Sequence, residues 1–254
     1  MRLAIYYDNL TGRNDGNPLY VFRSLKRRQE QKMLEIDHLA PKEDVKLFGT
    51  YDAHIWVDWG EDALAQAGLF PYKMIDCPRP SIYWASDTHL GYDFRRDMAK
   101  KFDYVFVAQK RAMEDFAKEG IASEWLPHAF EPEAYHDLST GKPYECLVKK
   151  QDICFVGHVN NEKRVDFLDR MFKEFPNFSF GQARFQDAAK RFSQAKICLN
   201  ISHVDDINMR TFEIMGSGNF LLTEWVPTME ELFQDGVHCA MFKTLDEAID
   251  KAKY

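Results

Sequence analysis

The sequence predicts an α/β protein of two domains, each a mostly parallel sheet covered by helices. Three observations predict it. Short β-rich apolar runs alternate with helical patterns along nearly the whole chain, as in sheets whose strands are joined by helical crossovers. The rhythm runs twice, the second series restarting at Asp152. At 254 residues, with 45% hydrophobic and 14% aromatic residues, the chain is long and apolar enough to bury two compact cores.

The first series opens with a strand over Arg2–Tyr7, followed by the turn-rich stretch Thr11–Pro18 and a helix over Leu19–Gln29. Strands follow at Asp52–Val57, Ser81–Ala85 and Tyr104–Ala108, with helices near Gly91–Lys101 and Lys110–Glu119. The segment Phe130–Lys150 holds Pro132, Gly141 and Pro143 without a clear period, and reads as the link between domains. We therefore expect domains over 1–134 and 135–254. The second series gives strand Asp152–Val156, helix Glu162–Glu174, strand Phe178–Phe180, helix Phe185–Gln194 and strand Lys196–Ile201. Helix Met209–Gly216, strand Phe220–Thr223 and helix Leu245–Lys253 complete it.

Several classes of function are poorly supported. The net charge of −7 argues against a protein that coats nucleic acid, which needs surplus cations. No apolar run has the length of a signal segment or a membrane span, so a cytoplasmic protein is expected. There is no Cys-x-x-Cys pair, no His/Cys spacing suited to zinc, no Walker pattern and no Gly-x-Gly-x-x-Gly. Basic residues bunch at Arg23–Lys32 and again at Arg95, Arg96, Lys100, Lys101, Lys110 and Arg111. These are either solvated helix faces or a patch facing an anionic acceptor.

The most informative stretch is Asp205–Thr223, which reads loop, short helix, glycine turn, strand. Asn208 suits the helix cap, placing Arg210 and Thr211 in the first turn, where free N–H groups and a cation would hold a diphosphate together. Glu213 falls on the same face as Arg210, and its carboxylate can accept hydrogen bonds from both ribose hydroxyls. On spacing alone, an ordinary capped αβ unit reads equally well. Gly157 ends a strand where backbone can approach a ligand, and Arg164 or Lys196 can add charge, though either can equally decorate a helix or an edge. In the first half, Asp87 and His89 follow an apolar strand. His89 can hydrogen-bond a donor sugar or take a proton from an acceptor, with Asp87 orienting it; equally, Asp87 can cap the next helix while His89 lines the turn. Gly12, Asp15 and Gly16 form a loop after the first strand, a position that meets phosphates or acceptor in such folds. His54 and His128 have apolar neighbours and read as structural.

The stretch around Arg210 and Glu213 resembles the donor-site motif of glycosyltransferases of the two-domain GT-B architecture, in particular proteins related to spore maturation protein CgeB and the wider retaining family 4. Tyr83–His89, Phe102–Gln109, Trp125–Ala129, Asp152–Gly157 with Arg164, and Ala195–Asn200 resemble further segments of CgeB-like proteins in the same order. The resemblance implies two Rossmann-like domains facing a central cleft. It implies metal-independent, retaining transfer of a sugar from a UDP- or GDP-sugar co-substrate to a hydroxyl acceptor, with no bound cofactor. The absence of any Asp-x-Asp pair is consistent with that. In the wider family two glutamates have seven residues between them; Glu213 matches the second and Asp205 occupies the first. Relatives commonly run longer, with terminal helices packed back across both domains. Two further readings stand beside this one: a sugar-nucleotide-binding module without catalysis, and an anionic acceptor such as hydroxymethylated pyrimidines in DNA, flipped from the stack.

Overall fold

The computed structural model describes residues 1–6, 17–32, 34–39, 51–58, 79–145, 148–159, 161–202 and 204–254. The chain forms two compact units, Met1–Pro127 and His128–Tyr254.

The first unit runs β1 (Arg2–Tyr6), α1 (Asn17–Glu30), β2 (Glu35–Leu39), β3 (Ala53–Val57), β4 (Ser81–Ala85), α2 (Tyr92–Ala99), β5 (Tyr104–Val107), α3 (Arg111–Lys118) and β6 (Glu124–Trp125). Its strands lie in the order β2-β1-β3-β4-β5-β6, every pair parallel. Parallel strands are covered on both faces, so their sequences are apolar without alternation. Neighbouring residues of one strand accordingly enter opposite cores. Ala4, Tyr6, Trp56, Tyr83 and Ala85 pack with Met98 and Phe116 from α2 and α3. Ile5, Val57 and Trp84 pack on the other face, against Phe22 and Leu25 of α1. Each such large side chain, fully buried, contributes about 1.5–3 kcal/mol. His54 is 1% exposed and its Nδ1 shares a 2.9 Å hydrogen bond with the Tyr6 hydroxyl, a structural placement as expected.

The second unit contains α4 (Pro132–Tyr135), β7 (His136–Asp137), β8 (Lys142–Pro143), β9 (Gln151–Val156), α5 (Glu162–Glu174), β10 (Phe178–Gly181), α6 (Phe185–Gln194), β11 (Ala195–Asn200), α7 (Met209–Gly216), β12 (Leu221–Glu224), α8 (Met229–Leu232), β13 (Ala240–Phe242) and α9 (Leu245–Lys253). Its parallel sheet has the order β10-β9-β11-β12-β13. On one face Phe155, Leu199 and Leu222 meet Phe167, Leu168 and Met171 of α5 and Ala248 and Ile249 of α9. The remaining apolar positions of α9, Leu245 and Ala252, fall at the same helical spacing.

The segment read as a linker is built structure. Glu131 caps α4 by accepting from the Glu133 N–H at 3.1 Å, and Pro132 occupies the first turn, where no N–H is required. His136–Asp137 and Lys142–Pro143 then pair as a small antiparallel ribbon. With only short elements it carries no period to read. Its Phe130 ring lies where a Cβ on Gly216 would fall, 2.3–2.5 Å from the ring atoms, and His136 Nε2 sits 3.0 Å from the Gly216 carbonyl. Glycine is required there by close approach, and this contact fixes the carboxyl end of α7.

Candidate functional site

In an open α/β sheet a ligand finds free backbone groups beyond the carboxyl ends of the strands, where the strand order reverses. In the second unit β10 lies on one side of β9 and β11 on the other, which places the reversal at β9 and β11. Gly157 follows β9, Ile201 and Ser202 follow β11, and Glu224 ends β12.

A polar layer joins these ends to α7. Asn200 donates from Nδ2 to Thr211 Oγ1 at 3.2 Å and to Thr223 Oγ1 at 3.1 Å, and its Oδ1 accepts from Asn208 Nδ2 at 3.2 Å. Asn208, thus oriented, caps α7 by accepting from the Thr211 N–H at 3.3 Å. This accounts for Thr211 as well. It is 1% exposed, with its side chain and amide both engaged internally, so it supports the helix start and does not face a ligand. Met209 and Arg210 open the first turn of the eight-residue helix, whose dipole is positive at this end.

Arg210 and Glu213 share a face, as the spacing predicts, but they meet each other: Nη1 lies 2.7 Å from Glu213 Oε2, with exposures of 22% and 3%. The N–H of that Nη1 is not aligned on a hydrogen-bond acceptor, so the contact is an ion pair by distance. The guanidinium carbon also sits 5.6 Å from the centroid of the Phe192 ring.

Arg164 is drawn to the same edge. The side chain of Asn161 caps α5 by accepting from the Arg164 N–H at 2.8 Å, and the guanidinium donates to the carbonyls of His158 at 2.9 Å and Ile201 at 2.7 Å. Its Nε is buried without a hydrogen-bond partner among the described residues. Burial lowers the Arg164 pKa; Glu224 opposes that and Arg210 adds to it, so two guanidinium groups feel one another's charge here. Arg164 and Arg210 thus put positive charge at the end of this sheet where the strand order reverses, offset in part by Glu224 and Glu213. Gly157 completes the edge. A Cβ there would meet the Phe155 ring at 3.0 Å, the ring over which Arg164 sits at 5.9 Å, and its N–H donates to Gly181 at 3.0 Å.

Lys196 does not belong to this site. It is the second residue of β11, about 13 Å of strand away from Asn200, and it pairs with Asp152 at 2.6 Å at the amino ends of the strands. Asp205 is exposed on the loop between β11 and α7, which Ser202 closes by reaching the carbonyls of Val204 and Asp206.

Residues with no motif to mark them complete the site. Glu224 accepts from the Ser202 N–H at 3.1 Å and pairs with Lys163 at 2.6 Å. A carboxylate ending an apolar strand run is the signal that marks Glu224; Ser202 and Asn200 gain significance only once the strands are aligned.

In the first unit Asp87 and His89 lie exposed on the turn between β4 and α2. Asp87 does not cap α2, whose cap is Gly91 in the left-handed region at φ 67°. Asp87 itself has φ 50°. Gly12, Asp15 and Gly16 lie outside the described residues. The basic cluster at Arg95–Lys101 is not a free cationic patch. Arg95 is 1% exposed and bonded to Asp58, Arg96 pairs with Asp93 and Asp97, and Lys100 pairs with Glu119. A position four residues from the last glycine of a turn does not reveal burial, because that depends on a partner 37 residues away. Among the described residues no group of three or more His, Cys, Asp or Glu could hold a metal, and no helix is long and apolar enough to cross a membrane.

Residues 150–254 match a family model described as glycosyl transferase-like. No curated protein matches the chain in sequence. Among solved structures, sucrose-phosphate synthase from Thermosynechococcus elongatus superposes with a TM-score of 0.58 at 10% identity, over 99% of this chain and 88% of that one. Anabaena Alr3699/HepE, solved with UDP and glucose, gives 0.58 at 14% identity over 99% of this chain and 89% of its own. A variant of T4 phage BGT, solved with UDP-glucose, gives 0.61 at 16% identity over 100% of this chain and 89% of its own. The chain thus has the GT-B fold, two Rossmann-like domains with parallel sheets.

Proposed function

We propose that this protein is a glycosyltransferase that moves a sugar from a UDP- or GDP-sugar to a hydroxyl acceptor, without a metal and with retention, as a relative of the CgeB-like and family 4 enzymes. The observation that carries the reading is Arg210 in the first turn of α7, 2.7 Å from the buried carboxylate of Glu213, with Arg164 held on the carbonyls of His158 and Ile201 after β9 and β11. That constellation suits a nucleoside diphosphate: cations and the helix dipole for the phosphates, a carboxylate for the ribose. The glycosyl transferase-like match over the same residues supports it. The UDP-glucose complexes of HepE and T4 phage BGT make UDP-sugars the first donors to test.

In the proposed reaction the bond between the anomeric carbon and the diphosphate oxygen breaks, its electron pair leaving with the nucleoside diphosphate. A new bond forms from the acceptor oxygen to that carbon, and the acceptor loses its proton. Arg164 and Arg210 stabilise the charge gathering on the leaving group, and one well-placed donor is worth roughly 2.7–4 kcal/mol. On the acceptor side we assign His89 as the base and Asp87 as the group that orients it. The acceptor is a hydroxyl compound of undefined charge: Arg95 is buried and Arg96 and Lys100 are paired, which weakens the case for an anionic acceptor such as DNA at that cluster.

The test is incubation with UDP- and GDP-sugars across a panel of hydroxyl acceptors. Release of nucleotide that depends on acceptor is expected. Tight donor binding with no turnover on any acceptor would instead make the chain a binding module, the alternative that Asp205 at the first acidic position favours.

A further inference from the structure

The turn that carries Asp87 and His89 is held from beneath by a buried ion pair. Arg95 of α2, 1% exposed, places Nε 2.5 Å from Asp58 Oδ2, and Asp58 is 2% exposed. The same Nε–H reaches the Ser86 carbonyl at 2.6 Å, and Nη1 reaches the Gly91 carbonyl at 3.5 Å. Ser86 and Gly91 are the two ends of the turn. Ser86 Oγ donates to the Asp58 carbonyl at 3.0 Å, and the Thr88 N–H is held from the other side by Gln109 Oε1 at 3.4 Å. Between these anchors the Leu90 N–H closes on the Asp87 carbonyl at 2.8 Å, with Asp87 at φ 50°. What the anchors leave outward is Asp87, His89 and Leu90, all exposed, while Ser86 and Thr88 are buried.

A core ion pair kept for stability alone is a poor device, since well-packed apolar residues of similar volume serve as well or better. This guanidinium is instead divided between a carboxylate and the two carbonyls that bound the turn. A guanidinium holds its donors in a fixed planar geometry, whereas an ammonium is a compact charge on a flexible stem and fixes its acceptors less rigidly. Aspartate tolerates the left-handed region at a modest cost, which the anchors on either side of the turn offset. The Tyr83 hydroxyl, fully buried beside Asp58, completes the enclosure: burial first, and the Asp58 charge second, push its pKa well above the ordinary phenol value, so it stays neutral.

We propose that Arg95 is a positioning residue. Its buried guanidinium, set by Asp58, holds the Ser86 and Gly91 carbonyls so that the turn presents Asp87 and His89 in one fixed geometry. The inference rests on the transferase reading for the role of that turn, and on the geometry alone for the holding.

The test is Arg95→Lys in the full chain, with Asp58→Asn as a second variant that keeps the guanidinium and neutralises the carboxylate that sets it. Hydrogen exchange of the Leu90 amide, thermal stability, donor KM and acceptor-dependent kcat are read for each. Leu90 protection is expected to fall at least tenfold. A misplacement of the order of 1 Å lowers kcat by about a hundredfold, while donor KM stays within about twofold. A lowered melting temperature with Leu90 protection and kcat unchanged would make Arg95 a purely structural residue. Should Arg95→Lys fail to fold, Asp58→Asn with unchanged Leu90 protection overturns the proposal, because the carboxylate sets the guanidinium. Wild-type protein that turns over no donor refutes the transferase reading alone, because the exchange measurement still decides whether Arg95 holds the turn.

Discussion

Replacing Glu213 with Gln keeps the side-chain shape and removes one charge from a carboxylate that is 3% exposed and 2.7 Å from Arg210 Nη1. Two separable effects follow. If the carboxylate accepts ribose hydroxyls, the variant exchanges charge-assisted hydrogen bonds, worth about 1.5–3 kcal/mol each, for weaker neutral ones. Loss of about 1.5–3 kcal/mol corresponds to a roughly 10- to 100-fold weaker Kd. Arg210, 22% exposed, loses its partner as well. Breaking a fully buried pair costs about 3–5 kcal/mol, but solvent reaches this one, so about 1–2 kcal/mol is expected. That lowers the melting transition of the second unit by roughly 4–8 °C. The assay is calorimetric titration of UDP, uridine and inorganic pyrophosphate. Glu213→Gln should weaken UDP and uridine and leave pyrophosphate near its wild-type affinity, or strengthen it, because Arg210 is released. Equal losses for uridine and pyrophosphate, or undiminished uridine binding, would show that Glu213 does not read the nucleoside.

Arg164→Ala should slow sugar transfer by about 10²- to 10³-fold and weaken pyrophosphate, as one lost oxyanion donor does, in a steady-state assay of nucleotide release. Gly216→Ala gains about 1 kcal/mol of helix propensity but drives a methyl to 2.3 Å from the Phe130 ring; a net loss of about 1–2 kcal/mol in urea unfolding is expected. Asn208→Ala removes the cap of α7 and should cost about 1 kcal/mol with weaker UDP binding, seen by thermal shift with and without nucleotide. Burial pushes the Cys239 thiol up to about 11, so at pH 8 about a thousandth is thiolate; mass spectrometry after brief maleimide treatment should find Cys239, with the buried Cys154 and Cys198, unmodified until denaturant is added.

Much of the second unit was legible because its signals are local. The helices Glu162–Glu174, Met209–Gly216 and Leu245–Lys253 begin at Asn161, Asn208 and Thr244, side chains that accept from an N–H three residues on. Each also carries its apolar face at helical spacing. What escaped has no local mark. Strand β2, Glu-Ile-Asp-His-Leu, is an edge strand with Ile36 in the core, held by pairing with β1 and by the Arg2 contacts to Glu35 and Asp37. Strand β13 and the ribbon β7–β8 are too short to show a period. The motif around Arg210 was visible, whereas the burial of Arg95 and the Glu224–Ser202 contact are made by residues 37 and 22 positions apart. Lys196 was misplaced for a related reason: composition shows a lysine in a strand but not which end of the sheet it serves.

The fit of Phe130 against Gly216 bears on how the C-terminal unit is to be handled. The family-matched stretch begins at residue 150, whereas the compact unit begins at His128. A fragment trimmed to 150–254 would lack the aromatic ring that covers Gly216 and the imidazole that bonds its carbonyl, leaving the end of α7 bare and prone to self-association. Expression boundaries for crystallisation or ligand soaking therefore belong ahead of His128, not at the edge of the recognisable domain.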